Sequence, residues 1–117
     1  MRLVSLLFVS LLTLSVAPLA ADARSDARKQ IEFGIAVAQR GLWREAIYRW
    51  ERAAQIDPTY AAPHNNLGIA YEHEGELDKA RAAYEKAIEL EPNNSFIKQN
   101  YELFKEINDR TTRQDNQ

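Results

Sequence analysis

Apolar residues along the chain recur at steps of three and four, the spacing that lines one face of an α-helix. Phe33 and Val37 begin one such stripe, and Trp43, Ile47 and Trp50 form the next. A further stripe, Ile97, Tyr101, Phe104 and Ile107, follows near the C-terminus, with Lys98, Gln99, Glu102 and Glu106 between its members. Between the first two runs stands Gly41, which can take the left-handed conformation that ends a helix. Pro58 closes the second run, because proline disfavours helix in the residue before it.

The same punctuation returns 34 residues later. Gly34 meets Gly68, Gly41 meets Gly75, and Pro58 meets Pro92; Ala27, Ala36, Ala46 and Ala53 meet Ala61, Ala70, Ala80 and Ala87; Ile35 meets Ile69 and Glu51 meets Glu85. A period of this length signals a stacked repeat architecture. Each unit reads as helix, tight turn, helix and stop. The pattern predicts five helices in antiparallel pairs, at about 25–40, 43–56, 62–74, 77–91 and 95–108. Gly34 and Gly68 fall inside helices, where glycine costs about 1 kcal/mol against alanine. That cost implies a packing reason, a facing helix that passes very close.

These positions resemble the tetratricopeptide repeat (TPR) family. The second unit supplies Leu67-Gly68, Tyr71, Ala80, Tyr84, Ala87 and Pro92; the first supplies Phe33-Gly34, Val37, Ala46, Trp50, Ala53 and Pro58. The family's early tryptophan is replaced by Gln30 and His64. The resemblance covers 27–94. It implies an all-α solenoid fragment: repeats at 27–60 and 61–94, then a capping helix at 95–108 that shields the last repeat. Glu102 stands where a third repeat would carry glycine. Residues 109–117 hold no apolar side chain and are expected to fray.

In TPR proteins the first helices of the repeats line a concave groove that often holds peptides. By repeat position the resemblance assigns to that groove Arg28, Ile31, Ile35 and Gln39, then Asn65, Ile69, Glu72 and His73, then Gln99 and Leu103. Ile35, Ile69 and Leu103 also admit a purely structural role in the stack. One subclass grips a terminal carboxylate with lysine, asparagine and arginine. Only Asn66 matches that clamp, and Ile31, Ile35, Phe96 and Asn100 hold its other positions.

The N-terminus adds a separate signal. Met1-Arg2, the apolar stretch Leu3 to Val16 and the small residues ending in Ala21-Asp22-Ala23 have the layout of a secretory leader, with cleavage expected before Arg24. The alternative is a retained anchor over residues 3–21, near the length that spans a bilayer. The expected location is therefore exported, periplasmic or secreted, or membrane-tethered if the leader stays. With no cysteine in 117 residues, disulfides and cysteine-based metal sites are excluded. An exported domain without disulfides fits a bacterial envelope better than a small eukaryotic secreted module.

Charge and chemistry narrow the function. Net charge is −2, without the basic excess of a nucleic-acid binder. Residues 24–56 hold seven basic and four acidic side chains, and residues 57–94 three and eight. This asymmetry reads either as a solvated surface or as complementarity to a partner or a second copy. His64 and His73, nine residues apart on one helix, face opposite sides and cannot share a metal. Glu72, Glu74, Glu76 and Asp78 surround a turn and read as a solvated face, with weak cation binding as the alternative. Ser25 and Ser95 stand at helix starts, where capping accounts for them. No phosphate loop, nucleophile elbow or metalloprotease motif is present. The expectation is a non-enzymatic module, without cofactor or metal, that binds a protein or peptide. A self-assembling subunit stacking through its open repeat ends is the alternative.

Overall fold

The computed structural model describes residues 17–115, and the apolar leader stretch Leu3 to Val16 lies outside them. Five helices follow one another: α1 (Ala17–Gln39), α2 (Trp43–Ile56), α3 (Ala61–His73), α4 (Leu77–Leu90) and α5 (Ser95–Asp115). α1 pairs with α2 and α3 with α4; α2 also packs on α3, and α5 packs on α4 and touches α3. The architecture is an all-α helical repeat, two hairpins and a closing helix.

Both hairpins turn in the same way. The amide of Gly41 donates to the Ala38 carbonyl and that of Leu42 to Val37; 34 residues on, Gly75 donates to Glu72 and Glu76 to Tyr71. Gly41 and Gly75 have φ of 79° and 76°, so the left-handed residue that this helix ending needs is glycine each time.

The interior glycines sit where the hairpin helices are closest. A Cβ on Gly68 would lie 2.7 Å from Cε1 of Tyr84, and one on Gly34 would lie 2.8 Å from Cδ1 of Trp50. Each glycine thus makes room for the large ring of its partner helix. Ala27, Ala46 and Ala53 are fully buried in the cluster that holds Trp50, Ala80 in the one that holds Tyr84, and Ala61 and Ala87 beside Ile97. Short side chains let the helices approach, and the two rings fill the remaining volume. Trp50 donates its indole N–H to the Ile31 carbonyl (3.2 Å), and Tyr84 its hydroxyl to Glu72 (2.9 Å).

Neighbouring hairpins are tied by tyrosines. Tyr71 reaches back to Glu51 and Tyr101 to Glu85, each at 2.7 Å. The two glutamates are repeat equivalents. The first connection is held by Asp57, whose carboxylate accepts from the Thr59 amide and hydroxyl and from Arg24 at 2.5 Å. Burial pushes this carboxyl up, but the bonds from Thr59 and Arg24 outweigh that and hold it below its ordinary value.

Three features of the helix ends differ from the sequence expectation. α1 is already helical at Ala17, the first described residue, so Ser25 is inside a helix and caps nothing. Residues 17–23 are alanine-rich, which favours helix there. α5 is capped by Asn94, not Ser95: the Asn94 side-chain oxygen accepts from the Phe96 and Ile97 amides. α5 also continues to Asp115 through the segment expected to fray. Its last turns are held locally, by Arg110 paired with Glu106 and by the Thr111 and Thr112 hydroxyls on the Ile107 and Asn108 carbonyls. No described helix is long and apolar enough to cross a membrane.

Candidate functional site: the groove between the first helices

One position recurs on all three first helices with an aliphatic side chain left in solvent. Ile35 on α1, Ile69 on α3 and Leu103 on α5 are 42%, 38% and 55% exposed. Each is separated from the next by one repeat. Between the first two opens a cavity of 340 Å³ lined by Ile35, Ala38, Gln39, Trp43, Trp50, Asn66 and Ile69. Its walls are almost wholly apolar, and the Gln39 and Asn66 side-chain amides supply both donors and acceptors. Such a surface can bury a side chain while hydrogen-bonding the backbone that carries it.

The expected groove residues divide. Arg28, Ile35, Gln39, Ile69, His73, Gln99 and Leu103 are exposed, and Glu72 is half-buried. Ile31 and Asn65 are buried, which corrects their placement on the open surface. Each is engaged by a neighbouring helix: the Ile31 carbonyl receives the Trp50 indole N–H from α2, and the Asn65 side chain accepts from Asn100 of α5 at 3.0 Å. Gln99 occupies the same position on α5 and is exposed. The surface is instead offered one residue later, by Asn66 and Asn100. His73 is committed as well, its imidazole stacked on Trp43 with ring centres 4.2 Å apart.

Ala38 and Trp43 line the cavity as well, although repeat position alone does not assign them to the groove. Trp43 sits at the hairpin turn, and only its stacking on a residue of the next repeat brings it to the groove. His64 is half-buried on another part of α3. Burial, then the nearby Lys86 charge, pushes its imidazole below the ordinary value.

Repeated glycine-gapped hairpins, tyrosine ties and a lined concave face define a helical-hairpin repeat protein. Residues 61–94 match the tetratricopeptide repeat family and residues 34–75 match a second description of it, TPR repeat. Residues 34–94 therefore carry repeats of the tetratricopeptide type. Among curated proteins it is similar to the type IV pilus assembly protein PilF of Pseudomonas aeruginosa, 33% identical over 72% of this chain and 34% of that protein. It is also similar to the chloroplastic protein PYG7 of Arabidopsis thaliana, 30% identical over 62% of this chain and 24% of that one. A third relative is the mouse protein O-mannosyl-transferase TMTC4, 33% identical over 55% of this chain. The matched segment is 9% of TMTC4, so that transferase title describes a far larger protein. The chain spans about a third or less of each of these relatives. TPR repeats are typically non-enzymatic interaction modules.

Proposed function

We propose that this chain is a non-enzymatic interaction module of the bacterial cell envelope, binding an extended segment of a partner protein in the groove between α1 and α3. The observation that carries this reading is the row Ile35, Ile69 and Leu103. A side chain that only supported the stack would be buried between helices, as Ala36's equivalent Ala70 is. These three are repeated and left in water. Single exposed aliphatics need no explanation, but a periodic row beside an apolar cavity marks a binding surface. Gln39 and Asn66 supply the polar contacts that an extended backbone requires.

The envelope assignment rests on the leader-like N-terminus, the lack of cysteine and the likeness to a pilus assembly protein. Two repeats and one closing helix form a short groove, so affinity for a single segment is modest, in the micromolar range expected of small interfaces. Chemical cross-linking in the source organism tests the reading. Asn66→Ala combined with Ile69→Glu should remove the main cross-linked partner while the purified variant keeps its helical spectrum. An unchanged set of partners would reject the groove.

A further inference from the structure

The second junction of the stack repeats the first with three changes and has a cavity of different lining. At the first junction the Trp43 indole lies on the His73 imidazole, 4.2 Å between centres and 22° from parallel. This flat pair joins the start of α2 to the end of α3. Advancing 34 residues replaces Trp43 by Leu77, His73 by Ile107 and Ala38 by Glu72. The two aliphatic side chains cannot occupy the volume of two stacked rings. A cavity of 280 Å³ remains, lined by Glu72, Leu77, Phe104, Ile107, Asn108 and Thr111.

The electrostatics of the cavity are as specific as its shape. Phe104 is almost fully buried beneath it, while Leu77 and Ile107 are open to solvent. Glu72 is the only charged residue of the lining. Its Oε2 accepts from the Tyr84 hydroxyl, and the packing of Tyr84 fixes where the carboxylate stands. Burial and this bond push the phenol well above its ordinary value, as expected beside an anion. Among the described residues no lysine, arginine or histidine forms an ion pair with Glu72. Arg81 lies over the Phe104 ring at 5.4 Å but does not line the cavity. The surrounding residues 57–94 carry eight acidic and three basic side chains, which disfavours an anionic occupant.

We propose that this cavity is an arginine subsite, receiving the guanidinium of a residue in the segment bound along the groove. The first junction shows that the space takes a flat group stacked face to face, and Glu72 adds the demand that the group be cationic. A guanidinium is planar, weakly hydrated and carries forked N–H donors that match a carboxylate, whereas an ammonium is compact and strongly hydrated. The methylene stem would lie along Leu77 and Ile107. The proposal rests on the groove reading, because Glu72 stands one turn beyond Ile69 on α3 and so continues the same surface.

The test uses the full chain and a defined probe. Nα-acetyl-arginine amide is titrated and followed by NMR at the Leu77 and Ile107 methyl groups, beside its neutral isostere Nα-acetyl-citrulline amide and the lysine analogue. The arginine compound should move both methyl signals and bind about fivefold more tightly than the citrulline compound, the scale of a partly exposed ion pair. Glu72→Gln should erase that difference. Leu77→Trp, which restores the ring present at the first junction, should abolish binding of all three compounds without loss of thermal stability. Equal binding of arginine and citrulline compounds, or undiminished binding by Leu77→Trp, would overturn the proposal. Failure of the groove reading would look different: the arginine compound would still bind here while partner cross-linking ignored Ile69.

Discussion

Gly68→Ala is the substitution for which local propensity and packing predict opposite signs. Alanine is about 1 kcal/mol better than glycine in a helix interior, so an isolated α3 would be stabilised. In the folded chain the new Cβ would stand 2.7, 2.8 and 2.9 Å from Cε1, Cδ1 and Cγ of Tyr84. The ring cannot retreat. It is 1% exposed, it packs against Tyr101 and Phe104 with centres 5.9 and 5.5 Å away, and its hydroxyl is bonded to Glu72. Restoring normal contact requires α3 and α4 to part by about 1 Å, a gap that forfeits a quarter to a half of each dispersion contact it opens. Overpacking of this kind costs about 3 kcal/mol at its upper end. Set against the propensity gain, the net loss is about 2 kcal/mol, or a fall in Tm of about 10 °C for a domain of this size. Thermal unfolding followed by circular dichroism measures it. Gly41→Ala is the control: nothing lies within 4 Å of its Cβ, but φ is +79°, so only the left-handed penalty of about 1 kcal/mol applies. A double-mutant cycle with Tyr84→Leu should show coupling of about 1 kcal/mol or more, because a smaller side chain yields space to the methyl. A Gly68→Ala chain with raised Tm, or an additive cycle, would refute the close-approach argument.

Further outcomes follow from the same contacts. Asp57 has a depressed folded-state pKa, so its contribution is complete above the ordinary carboxylate value and is lost as pH falls through that value toward the folded one. Asp57→Asn should lower stability at pH 7 by about 1 kcal/mol, after discounting for the partly exposed Arg24 partner, and flatten the acid limb of the stability curve measured by urea titration. Tyr71→Phe removes an exposed bond to Glu51 and should change stability by less than about 1 kcal/mol in the same titration. Ile69→Glu alters a side chain already 38% exposed; Tm should move by only a few degrees while a groove-bound segment is lost from cross-linking.

The sequence made the repeat legible because its signals are local and strong. Glycine at 41 and 75, proline at 58 and 92, and the alanine pairs each fix a backbone or contact requirement within a few residues. The close approach at Gly34 and Gly68 was legible too, since an interior glycine has a known cost that something must offset. The groove was legible only to within a residue. Positions 31 and 65 are buried and engaged by neighbouring helices, Ile31 by α2 and Asn65 by α5, a matter of how the helices pack on one another rather than of periodicity. The length of α5 was hidden because its last turns rest on side-chain bonds to the helix itself, with no apolar stripe to announce them. The second cavity was least visible. It exists because Trp43 and His73 stack across two repeats while Leu77 and Ile107 do not, and that difference appears only when residues distant in sequence are brought together.

The central claim, that the row of exposed aliphatics on the first helices holds a partner segment, is tested most directly by a photo-reactive amino acid placed singly at Ile35, Ile69 and Leu103 and, for comparison, at Gln55 and Glu89, which are exposed on the second helices. The account predicts that in the source organism the three groove positions give the same protein adduct and the two others do not. Adducts to that partner from Gln55 and Glu89 alone would contradict it.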